Sequence, residues 1–460
     1  MGRHSRLFRW PSLLLLVAVV FVGSCGCCCW GIIDEEVNGN NHEGMRILYM
    51  VTTSKEIVNG KNRLWETLVP VLQESIGSLL DYGYRRIDIF LILGYSLLPH
   101  QKEELWEKLV VVHHHHRASA GIGLDYWEDA TAFFRNDHNN KRIRQLPRSL
   151  ARQHRYVLKD KIFHYDFFIA MEDDMLVHGQ HVQQYLEVTQ RIHELQKVHE
   201  KQLQHHQQQQ HKHNSSRVHW TMDDLRRLRP GFLRVEVLQN TTQTQETVDL
   251  VSSTTANIRI DPSVCCGGFD KKSSTGKKNL MVWETSVVAM RLYEFPLLGW
   301  VVLLEGQFGE GAPYAFDPKM VYNFTHKPRP HRSNPRFGGQ SGGWMMTQRE
   351  ALQASVEFCE GGFVPPYYRP HFPHDGLFGY SSSVEFFSGG LELWQKPSGC
   401  NLQRIIVLDQ FSHHLLYHTS NNKQRSIPQE RRIKAQDLLA QLHTVKEKAM
   451  SHREHGEKDD

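Results

Sequence analysis

The stretch Phe163-His-Tyr-Asp-Phe-Phe-Ile-Ala-Met-Glu-Asp-Asp-Met-Leu-Val177 decides how the rest of the chain is read. Its centre, Phe167 to Met171, is an unbroken apolar run, the pattern of a strand buried on both faces. Three carboxylates follow at once: Glu172, Asp173 and Asp174. A core does not tolerate three adjacent unpaired carboxylates, because each must shed its water or its charge. They therefore belong where the strand emerges, facing solvent or a cation. In open α/β sheets that carboxyl end is where ligands bind. A strand sends Glu172 and Asp174 to one side and Asp173 to the other. Hard oxygen ligands grouped this way suit Mn²⁺ or Mg²⁺, which share their coordination with substrate phosphates. A solvated acidic turn after an ordinary strand is the plainer reading of the same residues.

Toward the N-terminus, Met45-Arg-Ile-Leu-Tyr-Met-Val51 predicts a first strand, with a polar turn from Thr52 to Lys55. Arg63 to Leu80 carries Leu64, Leu68, Val71, Leu72, Ile76 and Leu79 at helical spacing. Ile87-Asp-Ile-Phe-Leu-Ile-Leu93 predicts a second strand, Glu103 to Leu109 a short helix, and Val110-Val-Val112 a third strand. This alternation is the pattern of a parallel sheet flanked by helices. His113 to His116 cannot all face one ion from a regular element and read as low-complexity drift. Arg142 to Arg155 is a basic segment, either a solvated helix face or a basic surface toward a diphosphate.

An apolar strand ending in Glu172-Asp173-Asp174 resembles the DXD segment of the GT-A-fold glycosyltransferases. The resemblance spans roughly Met45 to Lys423, rests on short motifs and does not single out one family. It implies an α/β, GT-A-like (Rossmann-like) fold with a mostly parallel central sheet flanked by helices. It also implies that Glu172, Asp173 and Asp174 hold Mn²⁺ or Mg²⁺ against the diphosphate of a nucleotide-sugar donor. Asp174 and Glu172 would be metal ligands, and His418 looks similar to the C-terminal histidine that such enzymes often add. The base that accepts the acceptor's proton would be an acid after the acceptor-side glycine-rich segment. Glu385 is favoured for that role, and Asp375 is the other candidate.

Downstream of the central stretch, Gln180 to about Leu203 reads as a long helix that dissolves into Gln204-His-His-Gln-Gln-Gln-Gln-His-Lys-His213. Such tracts bury too little apolar surface to order themselves, so Lys201 to Ser216 is expected to be a disordered insertion. Asp270 to Lys278 reads as an exposed loop, and Arg229 to Glu236 and Leu280 to Met290 as strands. Gly338-Gly-Gln-Ser-Gly-Gly-Trp-Met-Met346 joins a glycine-rich turn to a strand. There Gly342 and Gly343 let backbone approach a ligand, and Trp344 either stacks on a sugar ring or fills the core. Gln348 to Phe358 reads as a helix. Val384-Glu-Phe-Phe-Ser-Gly-Gly-Leu391 sets the single carboxylate of Glu385 among aromatics, where it pairs with a cation or does chemistry. Beyond Pro428 the chain turns charged, with an amphipathic helix from Ala435 to Met450.

Compartment follows from the N-terminus. Arg3, Arg6 and Arg9 precede an uncharged run from Trp10 to Ile33, and Asp34-Glu35-Glu36 follows it. The run is long enough to cross a hydrocarbon core, and its basic flank keeps residues 1–9 cytoplasmic. A cleaved signal peptide is the alternative, since the strongest apolar part is only Leu13 to Val22. Either way residues 34 onward enter the secretory lumen. The expected order is a tail (1–9), an anchor (10–33), a short stem (34–44), a catalytic domain (45–427) and a charged C-terminal segment (428–460). That makes a single-pass type II protein of the Golgi or endoplasmic reticulum. Cys25, Cys27, Cys28 and Cys29 close the apolar run, and Cys265, Cys266, Cys359 and Cys400 lie in the body. Adjacent Cys265 and Cys266 are poorly placed to join each other, so Cys359 and Cys400 are their expected partners. Asn214, Asn240 and Asn323 fit the N-glycosylation pattern. A net charge of +4 and the lack of a nucleic-acid-binding signature argue against a nucleic-acid partner. The expected partners are a nucleotide-sugar donor, a glycan or glycoconjugate acceptor and the membrane. A catalytically inactive lumenal carbohydrate- or nucleotide-binding homologue would carry the same features.

Overall fold

Two faces of one sheet account for the alternating apolar residues in the first part of the chain. The computed structural model describes residues 42–54, 56–58, 60–130, 150, 153–208, 221–238, 282–286, 290–304, 321–322, 343–359, 393, 400, 402–419 and 432–456. With strands numbered along the chain, the first sheet contains β1 (Arg46–Thr53), β4 (Arg86–Leu93), β5 (Gly121–Trp127), β6 (Phe167–Glu172) and β14 (Gly343–Thr347). Their order is β14-β6-β1-β4-β5. The β1–β4, β4–β5 and β1–β6 pairs are parallel, and β14 joins β6 antiparallel.

Side-chain alternation sorts this sheet into two cores. Ile47, Tyr49 and Val51 of β1 join Ile169 and Met171 of β6 on one face, against Leu72, Ile76 and Leu79 of α1 (Val69–Asp81). Leu48 and Met50 join Phe168 and Ala170 on the other face. The sequence order explains the two faces. The chain steps outward from β1 to β4 to β5, then returns across β1 to form β6. Right-handed crossovers put the helices of outward steps on one face and a returning helix on the other. The returning helix, α4 (Gln153–Lys161), contributes Val157 and Leu158 to the second core. Each large apolar side chain fully buried here is worth about 1.5–3 kcal/mol. The described residues thus form a mixed α/β fold with sheets flanked by helices.

Two local readings of the sequence are corrected. Val110-Val-Val112 is helical: Glu107–Val111 forms a π-helical turn between α2 (Pro99–Trp106) and α3 (Val112–His116). Leu105, Leu109 and Val110 reach the first core from this helix, so helical packing overrides the strand preference of three valines. The long helix α5 (Gly179–Gln208) runs on through residues 201–208, half of the stretch expected to be disordered. Its early turns are anchored by buried Val182, Tyr185, Val188 and Ile192, and extending a formed helix costs little per residue. Residues 209–216, and the expected loop at 270–278, lie outside the described residues.

A second sheet has the order β17-β10-β9-β16-β7, from β7 (Met175–Leu176), β9 (Leu233–Leu238), β10 (Val282–Ser286), β16 (Leu415–His418) and β17 (Arg432–Lys434). The third has the order β13-β11-β12-β15-β8, from β8 (Leu228–Pro230), which follows the short helix α6 (Met222–Arg227), β11 (Met290–Phe295), β12 (Gly299–Leu304), β13 (Val321–Tyr322) and β15 (Gln403–Val407). The C-terminal helix α8 (Ala435–Gly456) places Ala435, Leu438 and Leu442 in one core with Trp300, Ile406 and Phe411. It therefore packs onto the sheets instead of standing off from them.

Cys359 is bonded to Cys400, which corrects the expected pairing with Cys265 and Cys266. Those two cysteines, and Asp375 and Glu385, lie outside the described residues. The bond follows α7 (Gln348–Gln353) and its π-helical extension Ala354–Phe358, and closes a loop of 41 residues. Restricting the unfolded chain over such a loop is worth about 4 kcal/mol. Cys359→Ser/Cys400→Ser should lower the unfolding free energy by roughly that amount; an unchanged denaturation midpoint would show that the bond is not formed.

Acid should also unfold the protein through buried histidines. Burial holds His154 at about 3, and His178 and His414 at about 4, against an ordinary 6.5. The unfolded chain takes up these protons as pH falls through 6.5, whereas the folded chain resists until pH 4 or below. Their stabilising contribution is complete above pH 6.5 and is lost as pH falls from 6.5 toward 4. Each histidine removes roughly 1–2 kcal/mol by about pH 5. The urea midpoint should drop clearly between about pH 7.5 and about pH 5, and equal midpoints would show these rings open to water.

Candidate active site

The first sheet changes direction between β1 and β6, and such a switch point leaves a crevice outside the carboxyl ends of its strands. Glu172, Asp173 and Asp174 lie at this point, with Thr52 of β1 in register with Glu172. All three acids are buried, at 8 %, 5 % and 1 % exposure. Buried carboxylates need cationic partners, and the chain supplies them from distant segments.

Arg63 is the first. A short hairpin, β2 (Ile57–Val58) and β3 (Lys61–Asn62), leads into the π-helical turn Leu64–Leu68. The Asn62 side-chain oxygen accepts from the Leu64 N–H at 3.0 Å, and the Arg63 N–H donates to the Glu56 carbonyl at 2.7 Å. Val69 donates back five residues to Leu64, immediately before Pro70, which has no N–H to give. Held at this entry, Arg63 forks onto the acids. Its Nε donates to Asp173 Oδ2 at 2.8 Å, and its Nη2 donates to Asp173 Oδ1 and, at 3.1 Å, to Asp174 Oδ2. Burial works against the Arg63 charge, but Asp173 and Asp174 outweigh it and hold the guanidinium above its ordinary pKa. Burial pushes Asp173 above the usual carboxylate range, Arg63 opposes the shift, and the charge of Asp174 adds to it.

The second sheet supplies the remaining groups. After the acids, β7 pairs with β16 antiparallel, setting His418 opposite Met175. The Thr419 N–H donates to the Asp174 carbonyl at 2.8 Å. His418 Nε2 then lies 3.0 Å from Asp174 Oδ2. Arg234, on β9 beside β16, places Nη2 3.0 Å from the same His418 nitrogen and Nη1 3.6 Å from Glu172 Oε2. On the second-core side of β1, His154 Nε2 sits 2.5 Å from Thr52 Oγ1.

The structure brings four expected residues together, Glu172, Asp173, Asp174 and His418, across the switch point. Arg63 and Arg234 join them unforeseen; nothing in their local sequence marks them, since each is polar in an otherwise ordinary element. Gly343 and Trp344 do not reach this cluster as ligand groups. Trp344 is 3 % exposed and packs in the second core with Ala170 and Met346, filling space instead of facing a sugar. A Cβ on Gly343 would collide with the Ala170 carbonyl, so this glycine is needed for β14 to approach β6. Gly342 lies outside the described residues, with Asp375 and Glu385. Of the basic Arg142–Arg155 segment, Leu150 is in the second core and Arg155 is buried in the first turn of α4, while residues 142–149 and 151–152 lie outside the described residues.

The expected metal set fits these residues poorly. Among the described residues, no group of three His, Cys, Asp or Glu side chains is arranged to hold an ion. Asp174 and His418 are adjacent, but Asp173 is gripped by Arg63 and Glu172 faces Arg234. The Trp10–Ile33 run is also outside the described residues, among which no helix is long and apolar enough to cross a membrane. No family model matches the chain, and no curated protein or solved structure shows a match to it.

The Arg63–Asp173 fork should behave as a coupled unit. Removing one partner of a buried ion pair strands the other and costs about 3–5 kcal/mol. Arg63→Met should therefore destabilise the fold by that order, and adding Asp173→Asn should return a substantial part of the loss. Additive effects in this double-mutant cycle would show that the two side chains do not interact.

Proposed function

We propose that the protein is a glycosyltransferase that moves a sugar from a nucleotide-sugar donor to a glycan, glycoprotein or glycolipid acceptor in the secretory pathway. The observation that carries this reading is the cluster of buried charges at the switch point of a mostly parallel sheet, with Glu172, Asp173 and Asp174 at its centre. A crevice of this kind accepts a nucleotide, and clustered arginines suit phosphate. The compartment rests on the basic-flanked apolar run Trp10–Ile33 and the acidic residues after it.

In this reaction the acceptor hydroxyl oxygen bonds to the sugar's anomeric carbon as the bond to the diphosphate breaks. Negative charge builds on the departing diphosphate, and preorganised positive groups lower the barrier by meeting it. The acceptor's proton passes to a carboxylate in an inverting reaction, the role proposed for Glu385, with Asp375 as the alternative. A second reading, a binding protein without turnover, has one observation in its favour: Arg63 and Arg234 already occupy the acids.

Incubating the purified lumenal part with a panel of UDP- and GDP-sugars should release sugar from one of them. Binding of a nucleotide without release from any donor would favour the binding protein, and the absence of both would remove the proposal. Glu385→Gln should keep nucleotide binding and slow transfer by at least about 10²-fold. Turnover within a few-fold of wild type would pass the base role to Asp375.

A further inference from the structure

Several of the atoms that a divalent ion would need at the switch point already face guanidinium nitrogens. Both oxygens of Asp173 and Oδ2 of Asp174 receive N–H groups of Arg63. Glu172 Oε2 lies 3.6 Å from Arg234 Nη1, and His418 Nε2 lies 3.0 Å from Arg234 Nη2. Two guanidinium charges thus stand against three carboxylates, so the acids are largely compensated without a further cation. An ion bound through these same atoms would displace the guanidinium groups and then sit beside the charges it has displaced. Arg63 has little water to move into, because its side chain is only 13 % exposed.

Arg63 is also placed to serve a ligand. Its Nε and Nη2 are committed to the acids, which fixes the plane of the guanidinium, while Nη1 has no acceptor among the described residues. A planar guanidinium held on one side by carboxylates is preorganised to donate from the other side to a phosphate oxygen. Asp173 and Asp174 would then orient a cation instead of binding a metal.

We infer that the anion subsite of the switch-point crevice is built on Arg63, and that it binds the diphosphate of a nucleotide directly, without a divalent ion. The inference rests on the nucleotide-binding reading of the site and departs from the metal that the acidic motif implies.

Pyrophosphate is the probe, titrated calorimetrically into the full chain in EDTA. It should bind, and Arg63→Lys, which keeps the charge and loses the fork, should weaken binding about tenfold. Arg63→Met/Asp173→Asn, which removes the guanidinium together with the acid it forks, should weaken it further. MnCl2 alone, followed by the paramagnetic resonance of the free ion, should show no site that Asp174→Asn removes. Manganese bound equally by wild type and Asp174→Asn lies elsewhere on the chain and is consistent with the inference. Failure of pyrophosphate to bind in EDTA overturns the inference, as does an Mn²⁺ site lost in Asp174→Asn. Unchanged pyrophosphate affinity in Arg63→Lys and in the double variant overturns it too. The two readings separate cleanly. Binding of pyrophosphate in EDTA with no turnover of any nucleotide sugar would remove glycosyl transfer and leave the arginine subsite. Turnover that EDTA abolishes and Mn²⁺ restores would do the reverse.

Discussion

Three adjacent buried carboxylates are the constraint on which this molecule is built. An ion taken out of water carries a penalty of several kcal/mol, and only close pairing offsets it. Arg63 answers from the entry to the first helix, and Arg234 and His418 answer from neighbouring strands of the second sheet. The acids therefore do more than mark a strand end. They require that the first and second sheets meet at one place, with β7 carrying the chain directly from Asp174 into its pairing with β16.

A second buried charge cluster secures the other sheet. Glu350 caps α7, accepting from the Thr347 N–H at 2.9 Å while its own N–H donates to Thr347 Oγ1. The same carboxylate accepts from the Tyr185 hydroxyl of α5 at 2.9 Å and lies 3.7 Å from Arg229 Nε on β8. One acid thus joins β14, α5 and the edge of the third sheet. Both clusters place a full charge where it must be met from several elements at once, which disfavours alternative packings in which any one element slips.

The chemistry available at the crevice depends on which cation faces the acids. Carboxylates open to solvent would recruit a metal, whereas carboxylates already forked by arginine orient that arginine instead. The difference is a matter of geometry and desolvation, since the residue types alone are compatible with either. Rigid support from β1, β6 and the capped turn at Asn62 holds the guanidinium plane, which is what preorganised recognition of phosphate requires.

Much of the first sheet was legible in the sequence. The uninterrupted run Phe167–Met171 could only be a strand covered on both sides, and the run at Ile87–Leu93 with its flanking helix required parallel pairing. The place of Glu172, Asp173 and Asp174 at the strand end followed from the cost of burying charge, and so did their need for a cation. Strand alternation would set Asp173 apart from Glu172 and Asp174, yet the strand ends at Glu172 and Arg63 reaches both Asp173 and Asp174. What local pattern misjudged was Val110–Val112, where packing of Leu109 outweighed strand propensity; what it left open was Trp344, whose burial depends on Gly343 admitting β14 against β6. The sequence by itself determined that acids would stand at the mouth of a parallel sheet, because strand periodicity and desolvation are local and chemical. Only the tertiary structure decided that Arg63, Arg234 and His418 would meet them, because those contacts join residues 62 to 244 positions apart in the chain, where no spacing rule reaches.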